Sequence, residues 1–352
     1  TDMITVDQED EILEYCHNDV DTTEELLKQL ENEILLRVEM SRRYKVDMRS
    51  KSDAQMAEAA YISSMGLKFS NNKIPETIRY TPPSFLKFKN DALQELLNKT
   101  ADHVFEMNPV TGHVKLPEFL GSEIIKFGTG CYQLGVGGVH SVHDKKVCHV
   151  AGEDYICDID AASFYPSIIL ECGFIPELLG ERFVDEYRKI YEQRLEAKKS
   201  GDKTTDATLK ISLNGTFGKL ASRYSVLYSP DLMLAVTLTG QFTLLMLIEW
   251  LESLNVITLS ANTDGIAIFF RKDQKSSVER VVDKFSEVSK FNFEYTYYRA
   301  LAMKDVNNYI AVKQNRGLEE KSNNSKIKSP KSDLASLPSR LKAFLTDTFL
   351  IT

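Results

Sequence analysis

The chain has 352 residues, 43% hydrophobic, 27% charged and 10% aromatic, a soluble globular composition that excludes wholesale disorder. No apolar run reaches the roughly 18 residues of a spanning helix, so no membrane partner is expected. The five cysteines (Cys16, Cys131, Cys148, Cys157, Cys172) hold no CxxC pair and the net charge is −8, which argues against a disulfide framework, a structural zinc site and a globally basic surface, though not against a local basic groove.

The first residues show no basic flank and no apolar h-region, so no secretory signal is expected, and the cysteine usage fits an expected reducing cytoplasm. Residues 10–33 are strongly acidic, and Ile12, Leu13, Cys16, Val20, Leu26, Leu27 and Leu30 recur at helical spacing, which predicts one or two amphipathic helices. Residues 71–99 mix Pro75, Pro82 and Pro83 with short aromatic runs and read as an irregular connector. A strand is expected over 155–159, ending at Asp158 and Asp160. Two helices, 183–199 and 206–222, are joined by a Gly201-centred turn. Here eight Lys/Arg face four acids between residues 188 and 219. A core helix spans 241–254. Residues 256–270 read as strand, Asn262-Thr263-Asp264-Gly265 turn, strand, because Asp-Gly between apolar runs signals a hairpin. A second basic stretch, 313–342, includes a Ser/Asn-rich segment at 321–331. Mixed strands and helices make the fold class α+β.

Three constellations could carry chemistry. Asp160 at a strand end and Asp264 in a turn suit a hard-oxygen Mg²⁺ site, since Mg²⁺ takes one or two carboxylates plus substrate phosphates. By spacing alone, a helix N-cap for Asp160 and an ordinary turn aspartate for Asp264 describe them at least as well. Arg194 with Lys198, and Lys210 with Asn214, share helix faces at i, i+4 and could present cations to a polyphosphate, with Gly215 and Gly218 leaving room for close approach. A solvated face interleaved with Glu192 and Glu196 accounts for the same charges. Tyr15 and Asp19 share a face as well, as a water-orienting and metal-binding pair or as plain surface residues.

Together these residues match something specific. Asp160-Ala161-Ala162-Ser163-Phe164-Tyr165-Pro166-Ser167 resembles motif A of family B DNA polymerases, D-x-x-S-[LF]-Y-P-S. Lys210-x-x-x-Asn214-Gly215-Thr216-Phe217-Gly218 resembles their motif B, Asn262-Thr263-Asp264 their motif C, and the run holding Tyr15 and Asp19 the Y-x-x-x-D signature of the 3′–5′ exonuclease. All four stand in the family's order, and the many departures from cellular patterns resemble a bacteriophage branch.

The resemblance implies a polymerase palm, an antiparallel sheet with flanking helices. It adds helical-hairpin fingers and the C-terminal end of an RNase H-like exonuclease domain. The implied segments are 1–45 (exonuclease end), 46–152 (connector and N-terminal palm), 153–182 (palm with motif A), 183–224 (fingers), 225–312 (palm with motif C) and 313–352 (start of a thumb or an incomplete C-terminus). It implies template-directed DNA synthesis in phage replication, with primer-template DNA, dNTPs and other replication proteins as partners in the bacterial host cytoplasm. Asp160 and Asp264 would hold two Mg²⁺ ions, with Mn²⁺ as a substitute. Arg194, Lys198, Lys210 and Asn214 would grip the triphosphate, with the backbone after Asp160 (Ala161, Ser163, Phe164) beside it, and Tyr165 would exclude a ribose 2′-OH. Phe217, Gly218 and Tyr309 would meet DNA, while Asn307 stands where the family has a lysine. The 135–140 run (GVGGVH) is compared with the family's linker between exonuclease and polymerase modules, or is a plain glycine turn.

Four substitutions depart from the pattern: Asn262 for the first motif C aspartate, Gly265 for serine, and Gly215 and Phe217 for serine and tyrosine. Asp19 would be the one exonuclease carboxylate present, so proofreading is not expected of this chain, which is read as a fragment of a longer polymerase or an incomplete gene. The alternatives are a truncated, non-catalytic nucleic-acid-binding module of the same fold and a metal-dependent hydrolase.

Overall fold

The structure, a computed structural model, describes residues 6–68, 72–143, 146–150, 152, 154–314 and 317–321. In chain order it begins with helices α1 (Val6–Gln29), α2 (Glu31–Tyr44) and α3 (Asp53–Met65). There follow β1 (Thr77–Arg79), α4 (Asp91–Asp102), β2 (Val104–Glu106), α5 (Glu118–Gly121), β3 (Ile124–Phe127), β4 (Gly130–Gln133), β5 (His140–Ser141) and β6 (Lys146–His149). Next come β7 (Tyr155–Ala161), α6 (Phe164–Glu171), α7 (Gly180–Ser200), α8 (Lys203–Leu220) and α9 (Pro230–Glu252). The last are β8 (Ile257–Asn262), β9 (Gly265–Phe270), α10 (Lys275–Ser289), β10 (Phe293–Asp305), β11 (Asn308–Lys313) and β12 (Gly317–Lys321). These elements form two compact units. One holds α1 to α3, α7 from Asp185 onward, α8 to Lys219, and Ser225–Leu227; the other holds the remaining described elements.

In the helical unit, α1 and α2 form almost one rod. Leu30 N–H donates to Leu26 O (2.9 Å) and Ile34 N–H to Leu30 O (3.0 Å), which carries the ladder across the junction. The expected helices at 10–33 are present, but their apolar residues lie on the surface rather than in a core. Burial begins only at Met40, which with Tyr44 and Met48 packs on Met56, Ala59 and Ala60 of α3. A Ser52–Gln55 capping box starts α3, and Gly66 at φ 65° ends it. Buried Glu58 ties this helix to others: its carboxylate pairs with Lys219 (3.1 Å) and accepts from Ser225 Oγ (2.6 Å) and Val226 N (3.0 Å). Helices α7 and α8 form the expected hairpin around Gly201 at φ 76°, and Asp202 starts the second helix by accepting from Thr205 N–H (3.0 Å).

In the sheet unit, nine strands run in the order β12-β11-β10-β7-β9-β8-β5-β4-β3, with β6 a tenth strand on β10, and every pairing is antiparallel. Strands β1 and β2 form a separate ladder. Helix α9 packs with α6, α10, β8 and β9 and is apolar on every side, as a helix buried all round must be. Among the described residues it is the helix long and apolar enough to cross a membrane, and 83% of that stretch is buried. It starts at Pro230, well before the expected residue 241, because Pro230 sits in the first turn where no N–H is needed and Gly240 accommodates Phe164 and Ile168 instead of breaking the helix.

The stretch expected as an irregular connector, 71–99, contains β1 and most of α4. Asn90 accepts from Leu93 N–H (3.1 Å) and so nucleates that helix just after the proline-rich part. The basic stretch from residue 322 onward lies outside the described residues.

Candidate active site

Alternation along β7 sends Asp158 and Asp160 to one face of the sheet. Asp160 pairs in register with Gly265 on β9 and with Glu294 on β10. Because Ala161 N–H donates to Asp264 O (2.8 Å), the turn aspartate is held beside the end of the same strand. Asp160 therefore does not cap a helix. Ser163, in the left-handed region at φ 52°, occupies the N-cap of α6. Asp264 lies in the tight turn between Asn262 and Gly265, where Thr263 takes φ 58°.

Asp158, Asp160 and Asp264 line one small cleft of ≈ 70 Å³ with Asn262, Tyr298 and Tyr309. Tyr309 thus lines the same cleft as the carboxylates. Asp158 and Tyr298 are additions to the residues expected from sequence: the Tyr298 hydroxyl donates to Asp158 Oδ2 (3.3 Å). The period-2 pair Asp158/Asp160 was the available signal for the first, whereas Tyr298 comes from a strand more than a hundred residues away along the chain.

Two departures from the family pattern have local causes. A Cβ at Gly265 would meet the Asp160 carboxylate, so the glycine makes room for the acid. The Asn262 side-chain amide donates to Val306 O (3.2 Å), a bond that a carboxylate at 262 could not make.

Tyr165, in the first turn of α6, donates its hydroxyl to Gly137 O. Burial, together with the Asp264 carboxylate, raises its phenol above the ordinary range, so it stays a neutral donor. Its neighbour Phe164 turns its ring into the core, edge-on to Phe291, leaving its backbone at the helix start.

The 135–140 run is more than a plain turn. Gln241 brackets Gly135, accepting from its N–H (2.8 Å) and donating to its carbonyl (2.9 Å). Thr263 N–H donates to Val139 O (3.0 Å), and a Cβ at Gly138 would lie 2.9 Å from Thr263 Cα. The loop therefore clasps the aspartate turn and orients Tyr165. A buried glutamine in an otherwise apolar helix was the sequence signal for this role.

In the helical unit, Arg194 Nε donates to Asp206 Oδ1 (2.9 Å), joining α7 to α8 with the guanidinium side chain 12% exposed. Lys198, Lys210, Asn214 and Gly218 are exposed, and Phe217 is half-buried. The room left by Gly215 is taken by the protein itself, since a Cβ there would stand 2.7 Å from Ala57 Cβ and 2.9 Å from Asp53 O. Tyr15 and Asp19 share an exposed face of α1.

The donor set at the aspartate cleft fits Mg²⁺. The ligands are hard oxygens, and two carboxylates with the remaining positions left to substrate phosphates and water is the pattern this ion prefers. Among the described residues, no three His, Cys, Asp or Glu side chains converge closely enough to hold an ion unaided.

No protein-family model matches the chain, and no curated protein matches it in sequence. Among solved structures, it is similar to the family B DNA polymerase from the hyperthermophilic archaeon Pyrobaculum calidifontis. The TM-score is 0.49 at 12% identity, over 90% of this chain and 39% of that one. The chain thus spans about two-fifths of that polymerase's length.

Proposed function

We propose that the chain is the palm and fingers of a DNA-directed DNA polymerase of bacteriophage type, adding deoxynucleotides from dNTPs to a primer 3′-OH. One observation carries this reading: the β7–β9 register sets Asp160 against Gly265, and Ala161 N–H holds the Asp264 backbone at 2.8 Å, so two carboxylates distant in sequence share one cleft. A pair of Mg²⁺ ions there would supply activation of the attacking oxygen and charge neutralisation at the leaving pyrophosphate.

The chain's own residues do the positioning. Asp160 and Asp264 place negative charge at the cleft, and Tyr165, its hydroxyl held by Gly137, presents a ring edge against the sugar. Backbone N–H groups at Ser163 and Phe164 open a helix, where phosphate oxygens are favoured. Lys198, Lys210 and Asn214, exposed on the helical hairpin, supply donors for the triphosphate, with Arg194 at its Asp206-braced end. Phe217, Gly218 and Tyr309 contact DNA. Such chemistry needs positioning and charge neutralisation rather than a covalent intermediate.

The test is primer extension on a primed template with Mg²⁺ and four dNTPs, beside Asp160→Ala and Asp264→Asn. Extension by the parent chain, abolished in both variants, supports the reading. Extension that survives Asp264→Asn removes the metal role. No extension together with no metal-dependent nucleotide binding replaces the reading by a non-catalytic nucleic-acid-binding module.

A further inference from the structure

Asp158 is a third carboxylate of the cleft, and the proposed function leaves it without a role. It shares a face of β7 with Asp160, and its register partners are small, Ala267 on β9 and Thr296 on β10. Ile156, two residues back on the same face, belongs to an apolar cluster with Tyr298, Leu301 and Met303, and these three also wall the cleft. A half-buried carboxylate against such surface is costly where an apolar or amide side chain would pack. The hydroxyl of buried Tyr298 donates to Asp158 Oδ2 (3.3 Å). As a neutral donor it orients the charge without cancelling it.

Asn262 lines the same cleft but brings no charge to it. Its amide nitrogen donates to Val306 O (3.2 Å) and its oxygen accepts from Thr263 Oγ1 (3.1 Å), so both ends are engaged. Among the described residues no three acidic, histidine or cysteine side chains converge on one point, so Asp158 does not complete an inner ligand set. Mg²⁺ held by one or two carboxylates keeps several of its waters, and groups that hydrogen-bond to a metal's inner shell raise its affinity. We infer that Asp158 is a positioning residue for the divalent ion. Held by Tyr298, it adds a third negative charge to the cleft and accepts hydrogen bonds from the ion's water shell. The inference rests on the proposed function, since both need a divalent ion held by Asp160 and Asp264.

The probe is Mn²⁺ alone, its binding to the full chain read from the loss of the free-ion electron paramagnetic resonance signal. Primer extension against Mg²⁺ concentration is the second readout. Asp158→Asn still accepts from Tyr298 through its amide oxygen, so the fold persists. Its Mn²⁺ affinity falls about ten- to a hundredfold, and the Mg²⁺ needed for half-maximal extension rises by the same order. Tyr298→Phe keeps the charge and weakens affinity less. Asn262→Asp in the Asp158→Asn background returns a carboxylate to the cleft and recovers most of the lost affinity, which a packing role for Asp158 would not produce. Asp160→Ala separates the two ideas: Mn²⁺ binding lost there but unchanged in Asp158→Asn overturns the inference and leaves the proposed function standing. Equal losses in Asp158→Asn and Tyr298→Phe, with no rescue by Asn262→Asp, overturn it in favour of a structural hydrogen bond. A parent chain that binds no Mn²⁺ overturns both.

Discussion

The carboxylate of Asp160 occupies the space that a side chain at Gly265 would require, across a register pair joining two strands about a hundred residues apart in sequence. Gly265→Ala should therefore displace the acid while leaving the sheet intact. A shift of about 1 Å at a reacting group costs on the order of 10²-fold in rate. Single-nucleotide incorporation should fall by that order with the circular-dichroism melting temperature nearly unchanged. A fully active Gly265→Ala protein would show that Asp160 is not positioned by this contact.

Tyr165 is held at two ends, its ring stacked on Phe164 and its hydroxyl donating to Gly137. Removing the hydroxyl and removing the ring should separate. Tyr165→Phe keeps the bulk, so discrimination against ribonucleotides should persist, at a cost of about 1 kcal/mol for the lost hydrogen bond. Tyr165→Ala should raise the ribonucleotide-to-deoxynucleotide incorporation ratio. An unchanged ratio in the alanine variant sinks the steric assignment.

Glu58 is buried and accepts from three donors, Lys219, Ser225 and Val226. Replacing it by alanine strands a lysine whose side chain is only 19% exposed. Breaking one partner of a buried pair costs about 3–5 kcal/mol. Glu58→Ala should thus lower the urea midpoint of the helical unit substantially, and Glu58→Gln less, since the amide oxygen still accepts. Equal, small effects would mean the network contributes little.

Alkaline stability follows from the tyrosines. Burial raises the phenols of Tyr80, Tyr132, Tyr165 and Tyr187 above their ordinary value. Unfolded tyrosines release their protons near pH 10, while these keep theirs. Above that pH the unfolded state binds fewer protons, so stability is present below it and is lost as pH rises. Each such tyrosine steepens the loss by about 1.4 kcal/mol per pH unit. Burial also raises the thiols of Cys157 and Cys172, so denaturant midpoints should begin to decline near pH 8.5, where unfolded cysteines ionise, and fall distinctly more steeply above about pH 10; no steepening near pH 10 contradicts the tyrosine assignment.

Much of the chain was legible from residues alone. Local signals identified the Asn262–Gly265 hairpin, the helical hairpin at Gly201 and the acidic helix at the start, because turn chemistry and short-range periodicity are encoded within a few residues. The same locality explains the misjudged boundaries. Gly240 looks like a helix break until Phe164 and Ile168 are found packed against it, and residues 71–99 look irregular until Asn90 is seen to cap a helix.

The chemical site divides along the same line. Residue types and their spacing are readable along the chain: Asp160, Asp264, Tyr165, and cations repeating at helical intervals. Chain packing is what sets β7 beside β9 in a register that brings the two aspartates together and adds Asp158 and Tyr298. The same packing gives Gly215 to α3 and makes the 135–140 loop clasp Thr263, neither of which any local pattern shows. The physical reason is that strand register and burial depend on pairings between segments about a hundred residues apart, whose energies no local pattern contains.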